Sequence, residues 1–150
     1  MRRKEFAMTA DNAEELLKRG EYGVLSTADE NGIPYGVPLN YAYDGKKIYF
    51  HCAPEVGRKL ENVSVNQNVC FTVVGKVVRV PEKFSTRYES VIVGGTAAVA
   101  EEKEYALALL IEKYSPEFTE EGAKYIERAA GKTAVYAIKV SELSGKSRFQ

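Results

Sequence analysis

Hydrophobic and polar positions divide the chain into short runs separated by turn-forming residues. Residues 22–28 predict a strand, and residues 35–43 a second one with Tyr35, Val37, Leu39, Tyr41 and Tyr43 on one face. Between them Asp29-Glu30-Asn31-Gly32 is a turn, because Asn-Gly takes positive φ at little steric cost. Asp44-Gly45 makes the next tight turn and residues 47–52 the third strand. Residues 69–79 and 88–100, dense in Val, Ile, Phe and Thr, predict two long strands joined by a loop over residues 80–87 that contains Pro81. Residues 133–140 predict the last strand, and residues 141–150 a polar tail.

Helical spacing appears in four places. Asp11-Asn12-Ala13-Glu14 has the capping-box pattern and opens a helix over residues 13–19, with Leu16 and Leu17 inward and Gly20 at its end. Residues 57–66 predict a helix with Leu60 and Val63 inward, and residues 101–114 and 119–130 two more, separated by Ser115-Pro116. Six strands in short antiparallel steps, interrupted by one helical hairpin, predict a mainly β fold with peripheral helices, a six-stranded antiparallel barrel. At 150 residues the chain is expected to form a single domain over 1–150.

Composition narrows the function classes. The 21 Lys+Arg balance 21 Asp+Glu, so no overall field favours a nucleic acid or a membrane surface, although residues 75–87 are locally basic through Lys76, Arg79, Lys83 and Arg87. The longest apolar run, residues 105–111, is far shorter than the roughly 20 residues of a membrane span. With Cys52 and Cys70 as the only cysteines, free thiols in a reducing cytoplasm are the expectation. A single histidine, His51, provides no metal-ligand spacing, so no metal site is expected. G-x-S-x-G, G-x-G-x-x-G and Walker patterns are all missing. Catalysis in such a chain would draw its reactive atoms from a cofactor.

One segment carries candidate chemistry. A strand ends at His51-Cys52, a turn follows, and a helix opens with Gly57-Arg58-Lys59. A helix start presents free N–H groups and the positive end of the helix dipole, so two adjacent cations there make a phosphate site physically reasonable; a solvated surface pair is the plain alternative.

Together, Ile33-Pro34-Tyr35-Gly36-Val37-Pro38-Leu39-Asn40-Tyr41, Ile48-Tyr49-Phe50-His51-Cys52-Ala53 and Gly57-Arg58-Lys59 resemble the FMN-binding split-barrel superfamily, in its pyridoxamine 5′-phosphate oxidase-related, nitroimidazole-resistance (Nim-type) branch. Tyr88-Glu89-Ser90-Val91 and Ser144-Gly145-Lys146 resemble the same branch. The resemblance implies a six-stranded split β-barrel and a homodimer that binds two FMN molecules in clefts between subunits. Val37, Pro38, Leu39 and Asn40 would then run beside the flavin ring, His51 and Cys52 near the ribityl chain and phosphate, and Arg58 and Lys59 would hold the phosphate. Tyr88 and Ser90 would reach the flavin from the partner subunit. The charged R-x-V-L-L-K strand of true pyridoxamine phosphate oxidases reads Tyr35-Gly36-Val37-Pro38-Leu39-Asn40 here, and the Arg-Leu-x-Pro ending is missing, which argues against that oxidation.

Three functions stay open on the sequence. The first is an FMN-dependent oxidoreductase reducing a small electron acceptor such as a nitroaromatic, with His51 as the candidate catalytic proton donor or a cofactor ligand. The second is a non-catalytic flavin or haem carrier, sensor or storage protein, for which His51 is the one imidazole available to iron. The third is an anion or nucleic-acid binder using the basic segment 75–87.

Overall fold

The computed structural model describes residues 3–55 and 57–149. Seven antiparallel strands form one sheet in the order β2-β1-β5-β6-β7-β4-β3, where β1 is Gly23–Ala28, β2 Pro34–Leu39, β3 Ala42–Tyr43, β4 Lys47–Cys52, β5 Asn68–Val80, β6 Ser85–Val99 and β7 Ala134–Ser147. Leu25, Tyr43, Ile48, Phe71, Val93 and Ile138, drawn from six of these strands, share one buried cluster, with Val37 and Leu39 of β2 packed against it. The sheet therefore curls round a single core and stays open between β2 and β3, in agreement with a mainly β split barrel.

The strand count differs from the expected six because residues 35–43 break in two. Tyr41 turns into the core, where its ring meets Phe71 edge-on at 4.9 Å and its hydroxyl donates to the Leu17 carbonyl. Its N–H donates not to a strand but to the Tyr114 hydroxyl at 3.0 Å. Before the break β2 pairs with β1, and after it β3 pairs with β4. Pro34 and Pro38 fit because β2 is an edge strand, where a missing N–H costs little.

Two further boundaries move. Residues 141–147 are no tail: they continue β7 against β6, from Glu142 opposite Gly94 to Ser147 opposite Glu89. The 80–87 loop shrinks to a 3-10 turn, Pro81–Lys83, followed by Phe84 in the left-handed region at φ 47° and fully exposed.

Helix α1, Ala10–Arg19, starts earlier than the Asp11 pattern predicts, since Thr9 is its cap and the Thr9 hydroxyl accepts from the Asn12 N–H at 3.3 Å. Its Ala13, Leu16 and Leu17 fill the core. Helix α2, Arg58–Val65, buries Leu60, Asn62 and Val63, and the Asn62 amide donates to Thr27 Oγ1 of β1 at 2.9 Å. Helix α3, Lys103–Tyr114, packs through Ala106 on Tyr49, Ala100 and Val135. Helix α4, Thr119–Ala129, has no buried residue and rests on α3, where Gly122 comes so close to Ile111 that a Cβ would sit 2.6 Å from its methyl carbon. Among the described residues no helix is long and apolar enough to cross a membrane.

Candidate functional site

Strand β4 presents alternate residues to opposite faces of the sheet, as the strand period requires. Ile48 and Phe50 enter the main core, whereas Tyr49 faces α3. Cys52 continues the first face and His51 the second, so these adjacent residues serve different surroundings.

On the Cys52 face the chain leads into α2. Gly57 is its N-cap and supplies no side chain to the helix-start N–H groups, while its carbonyl accepts from Leu60 and Glu61 at 2.8 and 3.1 Å. The Arg58 guanidinium lies over the Tyr35 ring of β2 at 4.9 Å, and Lys59 is half-buried. Burial pushes the Cys52 thiol up, and the Lys59 ammonium close by pulls it the other way. The thiol therefore stays protonated near neutral pH and offers no nucleophile. A helix start without a side-chain cap, flanked by two cations, fits a phosphate monoester.

On the other face the exposed His51 opens with Asn40 onto a cavity of about 200 Å³. Leu110, Ile111 and Tyr114 of α3 and Tyr125, Ile126 and Ala129 of α4 form half of its lining. Sequence reasoning missed these helical residues. Their signal was the continuous apolar run through α3 and the Tyr125, Ile126, Ala129 spacing, which together cover more apolar surface than one helix-to-sheet contact needs. The cavity is smaller than the roughly 300–1,000 Å³ of drug-sized ligand sites, so it suits one or two fused rings and not a whole flavin nucleotide.

The remaining candidates are divided. Val37 and Leu39 are half-buried against the core, while Pro38 lies on the exposed face of the edge strand β2. Tyr88 and Ser90 lie elsewhere: Ser90 pairs with Lys146 near one end of β7, whereas Cys52 pairs with Ala134 at the other. Twelve residues of β7 separate those two register positions. Within one chain the structure thus brings together Asn40 and His51, Cys52 and Lys59, and Arg58 and Tyr35, and puts Tyr88 and Ser90 at the other end of β7 from Cys52.

Comparison with known proteins agrees with this architecture. A 5-nitroimidazole antibiotic resistance protein from Bacteroides thetaiotaomicron is similar at 25% identity and TM-score 0.75, over 93% of this chain and 85% of its own. An FAD- and heme-binding protein from Mycobacterium smegmatis shares the fold at 18% identity and TM-score 0.76, over 95% and 72%. A FAD-binding protein from Mesorhizobium loti does so at 22% and 0.64, over 93% and 94%. The search of curated proteins gives no match. A family model, pyridoxamine 5′-phosphate oxidase, matches residues 9–147, and the chain therefore belongs to that family.

Proposed function

We propose that this chain is an FMN-binding flavoprotein that reduces a small electron acceptor such as a nitroaromatic. The observation that carries the reading is the juxtaposition across β4: a phosphate-competent helix start with Arg58 and Lys59 on one face and a ring-sized cavity with His51 and Asn40 on the other. Two similar structures of FAD-binding proteins, and the similar nitroimidazole resistance protein, support it.

In this reading Arg58 and Lys59 neutralise the cofactor phosphate, and Tyr35 holds the guanidinium in place. A bound flavin supplies a ring that takes up and passes on electrons or hydride. Asn40 and the exposed edge of β2 orient the ring, and the α3–α4 wall excludes water from the acceptor. Converting a nitro group to a nitroso group consumes two electrons and two protons and releases water. His51 is the one imidazole of the chain, and it delivers a proton into the cavity.

The cofactor cleft is completed by a second copy. Tyr88 and Ser90 lie on β6, three strands from the Tyr35 that Arg58 covers, and Val74 and Ile92 expose about half of their surface on the outer face of the β5–β6 pair. A homodimer joined through that face covers these side chains and carries Tyr88 and Ser90 to the partner's site.

An absorption spectrum of purified protein, followed by titration with FMN and riboflavin, tests the reading. Flavin bands and a strong preference for FMN are expected, and the reduced protein should be reoxidised by a nitroaromatic under anaerobic rapid mixing. Equal affinity for FMN and riboflavin removes the role of Arg58 and Lys59. A second reading, a haem carrier or store, is favoured by the exposure of His51 at the cavity mouth; a Soret band in place of flavin bands would establish it.

A further inference from the structure

The β5–β6 hairpin outruns the rest of the sheet. Among the described residues, β1 pairs with β5 only at residues 70–72, and β7 follows β6 only as far as Glu89, with one more bond from the Arg148 N–H to the Tyr88 carbonyl at 2.9 Å. Beyond that, from Val77 opposite Tyr88 to Val80 opposite Ser85, the two strands pair with each other alone. A two-stranded ribbon is marginal in water by itself, and its free edges carry unpaired N–H and C=O groups. Phe84 at the tip is fully exposed and holds a left-handed backbone at φ 47°, which disfavours a bulky residue. Val77 and Val78 are exposed along the arm. Arg79, Lys83 and Arg87 surround them against Glu82 alone, and none of the three forms an ion pair among the described residues.

Helix α4 has the opposite chemistry. Phe118, its N-cap, and Tyr125, two turns on, are both more than half exposed, and the helical period puts them on one face with Glu121 between them. Glu117, Glu120, Glu121 and Glu127 against Lys124 and Arg128 make residues 117–128 net acidic. One neutral chain therefore carries an apolar surface ringed by positive charge and another ringed by negative charge. The exposure of Phe84 shows that the two do not meet within a single copy.

We propose that the arm of each protomer docks on α4 of its partner, with Phe84 against Phe118 and Tyr125 and with Lys83 and Arg87 facing Glu120 and Glu121. The inference rests on the homodimer read above and extends its contact along the same hairpin. Val74 and Ile92 lie nearer the base, Tyr88 follows, and Phe84 stands four residues further, up to about 13 Å along an extended strand. From a Tyr88 set at the partner's flavin, that reach carries Phe84 to the helix that walls the cavity beside His51, and the second copy then closes the acceptor site from outside. A nucleic acid is the poorer occupant, because it would pair with the cations and leave Val77 and Val78 in water.

Cross-linking and charge exchange test it, with the dissociation constant of the dimer measured by analytical ultracentrifugation. Phe84→Cys combined with Tyr125→Cys is expected to oxidise to a covalent dimer, and neither substitution alone should do so. Lys83→Glu with Arg87→Glu should weaken the dimer roughly tenfold or more, since like charges then face each other. Adding Glu120→Lys with Glu121→Lys should bring the dissociation constant back to within a few-fold of wild type. All six positions are exposed, so these changes do not put folding at stake. No covalent dimer, a charge-reversed arm that leaves the dimer as tight as before, or a failed rescue each overturns the proposal. If that reversed arm instead loses a salt-sensitive affinity for a single-stranded oligonucleotide, the arm belongs to nucleic acid and the docking is equally overturned. Ile92→Glu measured alongside separates the two levels. A dimer that this change dissociates but the arm variants do not touch loses only the docking, whereas a wild-type chain that is monomeric at micromolar concentration loses the shared cleft and the docking together.

Discussion

Arg58 of α2 is held over Tyr35 of β2, with 4.9 Å between guanidinium carbon and ring centre. This contact fixes a long side chain before any ligand arrives, so less freedom is lost when a phosphate binds. Tyr35→Leu should weaken FMN by a few-fold, in line with the ~0.5–1 kcal/mol of an exposed cation–π pair. Lys59→Ala should weaken it by roughly one to two decades, and neither change should alter riboflavin binding. Parallel titrations with the two flavins read both effects.

His51 lies across the strand from the proposed phosphate site. His51→Ala should therefore leave FMN affinity within a few-fold of wild type while slowing acceptor reduction by roughly 10²–10⁴. Loss of FMN affinity instead would make His51 a cofactor ligand, as the family resemblance implies. Stopped-flow oxidation of the reduced protein, with an FMN titration alongside, distinguishes the two.

Acid stability should depend on Glu102. Its carboxyl accepts from the Lys47 ammonium and from the Tyr49 hydroxyl at 2.7 Å, and these contacts hold it down to about 2. In the unfolded chain a glutamate titrates near ~4.3, so below that pH the unfolded state binds the extra proton first. The contribution of Glu102 is complete above ~4.3 and is lost as pH falls toward 2. Glu102→Gln should flatten the fall in stability over that window, as measured by urea midpoints from pH 2 to 7.

Gly95 sits at the irregularity where β6 shifts register against β7, and a Cβ there would come 2.4 Å from the Lys139 carbonyl oxygen. The obstacle is backbone and cannot rotate away. Gly95→Ala should cost about 1–3 kcal/mol in denaturant unfolding, whereas Gly57→Ala, with nothing within 4 Å of the new methyl, should not show this packing penalty.

Ile92→Glu places a charge in the middle of the proposed subunit contact and faces solvent in a single chain. Light scattering should show wild type as a dimer and the variant shifted to monomer, with FMN bound more weakly in step. A monomeric wild type that still binds FMN tightly would contradict a shared cleft.

Residue chemistry made part of this legible from sequence. Arg58 and Lys59 stand out because cations at a helix start are unusual, and the turns at Gly32 and Gly45 are marked by residues that accept their φ values of 78° and 94°. The break at Tyr41 carries no local mark, since its cause is the hydroxyl of Tyr114, 73 residues later, which takes the N–H that a strand would have used. Residues 141–147 looked like a tail because their burial falls on Gly145 and Ser147, side chains too small or polar to register as an apolar pattern; what holds them is Met8 on one side and β6 on the other. The α3–α4 wall of the cavity is marked by its apolar residues, but the cavity itself exists only once the two helices meet.

The slight anchoring of α4 has a kinetic meaning. A wall with no buried residue of its own can swing outward while the curled sheet stays intact, so the free energy of exposing the cavity is set by a few contacts around Gly122 and Ile111 and not by unfolding of the domain. Guest molecules would then exchange on the timescale of one helix loosening, and amide protection in residues 119–129 would fall well below that of β5 and β6. Residence time in the cavity and thermal robustness of the barrel become separate properties, which selection can tune one without the other.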